Sequence, residues 1–188
     1  MADMQLPERA ARLAAFATLG ALGTTQDLAR AAIESMADAG PDLEVVAEET
    51  LSLVAVATAR AAEIGLRDHA DVAEAVLPTL LDLPFSYRDY LIGGAMIAQK
   101  DASLLDANEE IYQRLQRKQD FYAVHLPEGQ FPGDRALQDK LPLWMGRISP
   151  PGLPETPSDR LDALDVQSTL VTHLKLVLAF AKKGSLDR

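Results

Sequence analysis

The chain has 188 residues, no cysteine and a formal net charge of −10 at pH 7. Its length suits one domain that can bury a core without the help of metals or disulfides. The lack of cysteine excludes disulfide frameworks, thiolate zinc sites, iron–sulfur clusters and cysteine nucleophiles, and it fits a reducing compartment, so we predict a cytoplasmic protein. The acidity argues against a nucleic-acid partner, because binding phosphates requires clustered lysine and arginine.

The negative charge is concentrated in the first half of the chain. Residues 1–100 carry 15 acidic and 7 basic residues, whereas residues 101–188 carry 13 and 11. An anionic ligand would therefore favour the second half. We predict a single all-helical domain over residues 1–188, with a possible subdivision into an acidic half, residues 1–100, and a second half, residues 101–188.

The longest run without a charged residue is Leu13–Gln26, which has fourteen residues. A helix needs about 20 residues to cross a bilayer. The run resembles the apolar region of a signal peptide, but Asp3 and Glu8 offset the preceding arginines, so the positive charge expected before such a region is missing. We therefore predict no membrane association.

Three amphipathic helices are predicted in the first third of the chain. Pro7 suits the first position of a helix, and Gly23 suits its end, which predicts a helix over Pro7–Leu22 and a second one from Thr24 to before Gly40. A third helix is predicted over Asp42–Ile64. From Leu51 to Ala62 nearly every residue is apolar or small, which is typical of a helix at the centre of a core.

Three more helices are predicted over Asp68–Asp82, from Ser86 to about Gln99, and from Asp101 or Ser103 to about Val124. Pro78 should kink or split the first of these helices, and Pro84 should stop it. Gly93-Gly94 within the second suggests that another helix crosses closely there.

A compact basic cluster lies on the third of these helices, at Arg114, Arg117 and Lys118. Glu110 precedes Arg114 by four residues, the spacing of a favourable ion pair on a helix surface. We interpret the cluster as a solvated face balanced by nearby acids, with a docking patch as the alternative.

The segment Phe121–Pro157 differs from its surroundings, because it holds seven of the eleven prolines and the only tryptophan. It predicts an irregular proline-rich strap over about residues 125–157, containing one short helix from Asp134 to Gly146. A long C-terminal helix should follow, starting at Thr156 and Pro157 and ending near Lys183. The whole pattern predicts an all-α bundle of seven or eight mostly antiparallel helices.

Aromatic, imidazole and guanidinium groups gather in and near this segment, and they predict a pocket for a small anionic or planar ligand between residues 121–157 and the C-terminal helix. Packing roles are the alternatives: Trp144 could anchor the strap, His125 could cap helix carbonyls, and His173 could be a hydrogen-bonded residue at the edge of the helix face. The candidate residues are Tyr122, His125, Phe131, Trp144, Arg147 and His173.

No motif of catalysis, metal binding or cofactor binding is recognisable. The three histidines are widely separated, and no zinc-protease, di-iron, phosphate-loop, dinucleotide or nucleophile-elbow spacing occurs. Paired acids such as Glu48 and Glu49 should point in different directions from a helix. We therefore predict no catalytic residue, no metal and no cofactor, and we lean against an enzyme.

Two functions fit these observations. The first is a non-enzymatic module that binds another protein or itself, most simply as a homodimer through an apolar helical face. The alternative is a small-molecule-binding protein or enzyme that uses the predicted pocket. The sequence is also compatible with one subunit of a larger assembly.

Overall fold

A computed structural model describes residues 6–89, 106–133, 139–153 and 166–183. These ranges contain no strand, and the predicted all-α bundle is confirmed. Within them, no helix has both the length and the apolar character needed to cross a membrane. Residues 83–89 are helical, and a short 3₁₀ turn covers Ala37–Ala39. The longer helices are α1 (Leu6–Ser35), α2 (Leu43–Gly65), α3 (Ala70–Leu81), α4 (Asp106–His125), α5 (Leu141–Ile148) and α6 (Val166–Lys183).

Helix α2 is the central element, because it contacts each of the other five long helices. Every residue from Glu49 to Ala59 is buried. The side chain of Asp42 caps the start of the helix by accepting hydrogen bonds from the amides of Glu44 and Val45, at 3.0 and 3.1 Å. The prediction that this helix forms the centre of the core is confirmed.

Helix α1 is continuous, so the predicted end near Leu22 and the predicted cap at Thr24 are wrong. Gly23 lies within the helix. A glycine there costs about 1 kcal/mol relative to alanine, which is less than the gain from burying a long apolar stripe. The buried residues recur every three or four positions on both sides of Gly23, at Ala10, Leu13, Ala17, Ala21, Thr24, Leu28 and Ala32.

Two prolines lie within and just after helix α3. Pro78 lies inside it without splitting it, and the amide of Asp82 donates to the Pro78 carbonyl at 2.8 Å just beyond the helix end. Helix α3 ends at Leu81, close to the predicted end at Asp82, and a separate helical segment over residues 83–89 contains Pro84 in its first turn, where proline is tolerated. The residue before α3 is His69 rather than the expected Asp68. Gly93-Gly94 lies outside the described residues.

Helix α6 presents a buried stripe to α1 and α2. Its last turns are buried on one face only, since Leu176 is exposed. Gly65 of α2 lies so close to Ala181 that an added Cβ would be 2.5 Å from the alanine Cβ. The predicted start of this helix at Thr156 lies outside the described residues. The buried stripe is Val166, Leu170, Leu174, Val177 and Ala181.

Candidate functional site

A buried cluster of charges joins α2, α4 and α5. Its centre is Glu49, which is only 3% exposed. The Glu49 carboxylate accepts hydrogen bonds from the Tyr122 hydroxyl at 2.8 Å and from Nε and Nη2 of Arg147, both at 2.7 Å. Lys118 Nζ lies 3.2 Å from the same carboxylate. Two of the six candidate residues, Tyr122 and Arg147, therefore meet on an acid that was not among the candidates.

The neighbouring acid, Glu48, extends the cluster. Arg114 donates to it through Nε at 2.9 Å and through Nη2 at 2.6 Å, and Lys118 Nζ lies 3.1 Å from it. Arg114 also pairs with Glu44. The interpretation of the basic cluster as a solvated face is therefore wrong for Arg114 and Lys118, which turn toward the acids of α2. Only Arg117 of the three is exposed.

The charges of this cluster balance, with three carboxylates facing three cations. Burial by itself raises the pKa of Glu49, but the hydrogen bonds from Arg147 and Tyr122 and the charge on Lys118 outweigh burial and hold that pKa below its ordinary value. Burial and the adjacent Glu49 charge raise the pKa of Tyr122, which stays protonated and can donate. The cluster therefore acts as an internal clamp among α2, α4 and α5.

Trp144 fastens α5 to α2 beside this clamp. It is fully buried, at 0% exposure, and its Nε1 donates to Thr50 Oγ1 at 3.2 Å. The Thr50 hydroxyl in turn donates to the Val46 carbonyl at 2.6 Å. With its ring enclosed and its N–H satisfied, Trp144 has the geometry of a packing anchor.

His125 ends α4 and packs against Phe121 in a tilted arrangement, with ring centroids 4.5 Å apart and an interplanar angle of 59°. The Arg147 guanidinium covers Phe121, 4.3 Å from its centroid. The Leu126 carbonyl, just past the helix, accepts from Arg60 Nε at 2.9 Å. The side chain that donates to a carbonyl at the end of α4 is therefore Arg60, whereas the sequence had suggested His125 for this capping role.

His173 lies apart from this group, buried where α6 meets α1 and α2. Its Nε2 is 2.9 Å from Thr58 Oγ1. A Cβ added to Gly20 would lie 2.7 Å from Cε1 of the ring, so the glycine provides the space that the imidazole occupies. Burial lowers the pKa of His173 to about 4. The residue was expected at the border of the helix face and is instead within the core.

Acidification should destabilise the protein through His173. The unfolded chain binds a proton near the ordinary pKa of about 6.5, whereas the folded chain resists it down to about 4. The free energy of unfolding should therefore fall by about 3 kcal/mol as the pH drops from about 6.5 to about 4. Urea denaturation at a series of pH values measures this loss. The His173→Gln variant should lose clearly less over the same interval, and equal losses would contradict the assignment.

Substituting Gly20 should test the same contact from the other side. The Gly20→Ala change should lower the free energy of unfolding by about 1–2 kcal/mol, because the added methyl displaces a buried ring that has little room to move. Chemical denaturation gives the value. In a His173→Ala background the same change should be neutral or stabilising, since alanine favours the helix; an unchanged penalty there would exclude the proposed clash.

Two cavities open between described residues. The first, about 570 Å³, is a groove bordered by Leu22, Ala29 and Ile33 of α1, Leu51 of α2, and Tyr87. We call it the α1–α2 groove.

The second cavity, about 240 Å³, lies at the end of α4 and is lined by residues from Val124 to Lys140. We call it the strap cavity. It includes His125 and Phe131, whereas neither cavity is lined by Tyr122, Trp144, Arg147 or His173.

Three residues of this region were not predicted from the sequence: Glu49, Lys118 and Thr58. A signal for Glu49 existed, because it falls between Val46 and Leu53 in the three-and-four spacing of buried positions on α2. Its partners Tyr122 and Arg147 were among the candidates, but no signal in the sequence paired them with Glu49. Among the residues that the structure describes, no group of three or more histidines and acids is arranged to hold a metal ion.

Comparisons of the chain with protein-family models, with curated proteins and with solved structures gave no significant match.

Proposed function

We propose that the protein is a self-associating helical module whose interface is the outer face of α1. The observation that carries the proposal is Leu19, an apolar side chain that is 71% exposed on the helix that borders the α1–α2 groove. A protruding leucine next to an apolar recess is the kind of complementary surface that a symmetric dimer uses twice.

Helix α1 carries a second apolar stripe, of which Ala15 and Leu19 are exposed, whereas Leu22, Ala29 and Ile33 are partly buried against the core and border the α1–α2 groove. Its members recur at intervals of four, three, seven and four residues, which is the spacing of helices that pack side by side, with Gln26 at the single polar position. A polar residue at one such position favours a defined register over slippage. The stripe consists of Ala15, Leu19, Leu22, Ala29 and Ile33.

A second copy of the chain is the occupant that the charges favour. The first turns of α1 carry Glu8, Arg9 and Arg12, whereas the later turns carry Asp27, Arg30 and Glu34. The two ends therefore have opposite net charge. If two copies pack antiparallel about an axis near Gly23, Arg12 of one copy comes beside Glu34 of the other, and the helix dipoles also oppose each other favourably.

Gly23 supports a crossing at this point. It is exposed, and an added Cβ would meet nothing within 4 Å, so no contact inside the described chain requires a glycine there. A glycine at a helix crossing allows two backbones to approach closely. Close approach of a second α1 would explain a residue that otherwise weakens the helix.

We also propose that the protein is cytoplasmic and that its function is non-enzymatic. The surroundings of Glu49 support a non-enzymatic function, because its carboxylate is enclosed by Tyr122, Lys118 and Arg147. An ion cluster whose polar atoms bind one another stabilises a fold rather than a substrate.

Sedimentation equilibrium tests the proposal directly. The native chain should sediment as a dimer, and Leu19→Glu should shift it to a monomer, because the two-fold symmetry would bury the introduced carboxylate twice, once in each copy. The matched control is Val124→Glu, which adds the same charge on α4 at an apolar residue that is 77% exposed. This variant should remain dimeric. A monomeric native chain, or equal effects of the two variants, would refute the proposal.

A further inference from the structure

We propose that the strap cavity binds a small carboxylate with an apolar or planar body. The site is distinct from the outer face of α1 and does not depend on self-association. Among the described residues, three polar side chains line the cavity, namely His125, Gln130 and Lys140, and no acidic side chain does so. In a chain with a net charge of −10, such a recess is suited to an anion.

The cationic side of the cavity is formed at the start of α5. Lys140 occupies the position immediately before this helix and lines the cavity, so it brings a cationic side chain to the positive end of the helix dipole. The nearest described acids in sequence are Asp139, which is exposed, and Glu128, which pairs with Arg60 at 3.4 Å. A carboxylate can therefore meet a cation and an amide donor here, from Lys140 and Gln130.

The opposite side of the cavity is apolar. Phe131 is half-buried against the core, and Leu126 and Pro127 complete the wall. An engineered cavity of about 150 Å³ holds benzene, so about 240 Å³ accommodates a single-ring or short-chain acid. The size and the lining together favour a ligand with one charge and one apolar body over a bare ion.

The imidazole that faces this cavity is held in place before any ligand arrives. His125 packs against Phe121 in a tilted arrangement, and Phe121 is covered by Arg147, which is itself held by Glu49. A preorganised ring loses little freedom when a ligand binds. The buried clamp thereby supports the site without contacting the ligand, so Arg147 is a positioning residue.

Titration with benzoate, followed by amide chemical shifts of the full chain, tests the proposal. Benzoate should perturb the signals of Gln130 and Phe131, and Lys140→Met should weaken binding about tenfold or more, because a charge-assisted contact is lost. Arg117→Met removes an exposed cation elsewhere on α4 and should leave the affinity unchanged. His125→Gln provides a second variant, with His69→Gln as its control.

Three results would each overturn the proposed carboxylate site. The first is the absence of saturable shifts with benzoate, and the second is equal affinity of Lys140→Met and Arg117→Met for benzoate. The third is inorganic phosphate binding as tightly as benzoate, since the apolar wall would then contribute nothing. A monomeric Leu19→Glu variant should bind benzoate like the native chain, so failure of the dimer proposal would leave this result intact.

Discussion

Replacing Glu49 with glutamine is expected to lower the free energy of unfolding by about 3–5 kcal/mol, the usual cost of removing one partner from a buried ion pair. The change leaves the charges of Arg147 and Lys118 buried without their central counterion, and an amide also presents a donor to the Tyr122 hydroxyl and the guanidinium. Urea denaturation monitored by far-ultraviolet circular dichroism gives the value.

Glu44→Gln is the matched control for this experiment. Glu44 belongs to the same helix and pairs with Arg114, but its side chain is 66% exposed. Exposed ion pairs contribute about 0–1 kcal/mol, so Glu44→Gln should lower the free energy of unfolding by no more than about 1 kcal/mol. Similar losses for Glu44→Gln and Glu49→Gln would show that the cluster is screened by water and does not act as a buried clamp.

Replacing Trp144 with alanine should be comparably severe, at about 3–5 kcal/mol, because it empties the space of a fully buried indole ring and removes the hydrogen bond to Thr50. Thermal unfolding followed by circular dichroism is the suitable measurement, since the chain has no other tryptophan to report fluorescence. Loss of this anchor should release α5 from α2.

Two companion variants make the result interpretable. Trp144→Phe keeps much of the volume but cannot donate to Thr50, so it should cost about 1–2 kcal/mol, mostly for the lost hydrogen bond, while the Thr50 hydroxyl still donates to Val46. Leu143→Ala alters an exposed neighbour on the same short helix and should have little effect. If Leu143→Ala destabilised as much as Trp144→Ala, disruption of α5 itself would account for both losses.

The fold was largely predictable because its strongest signals are local. An apolar run such as Leu51–Ala62 has to be central, and a regular stripe such as the one on α6 has to face a core. The errors arose where a local rule competed with tertiary burial. Gly23 predicts a helix end, yet α1 continues through it because the buried positions extend across it.

The site was less predictable because its contacts join residues that are distant in sequence. Arg147 and Glu49 are separated by 98 positions, and Arg114 and Glu48 by 66. Local spacing favoured Glu110 as the partner of Arg114, and nothing in the sequence identified α2 as the partner helix. The composition of the sequence located the strap. Only the tertiary structure shows that its candidate residues belong to three different features: the buried clamp, the Trp144 anchor and the strap cavity.

Cysteine crosslinking at Gly23 tests most directly the claim that two chains meet through the outer face of α1. The native chain has no cysteine, so a single introduced thiol can pair only with its copy. A disulfide needs Cα atoms about 4.4–6.8 Å apart, which an antiparallel crossing at this residue provides. We expect Gly23→Cys to form a covalent dimer on mild oxidation, while Val124→Cys stays largely uncrosslinked. A Gly23→Cys chain that crosslinks no faster than Val124→Cys would contradict the account.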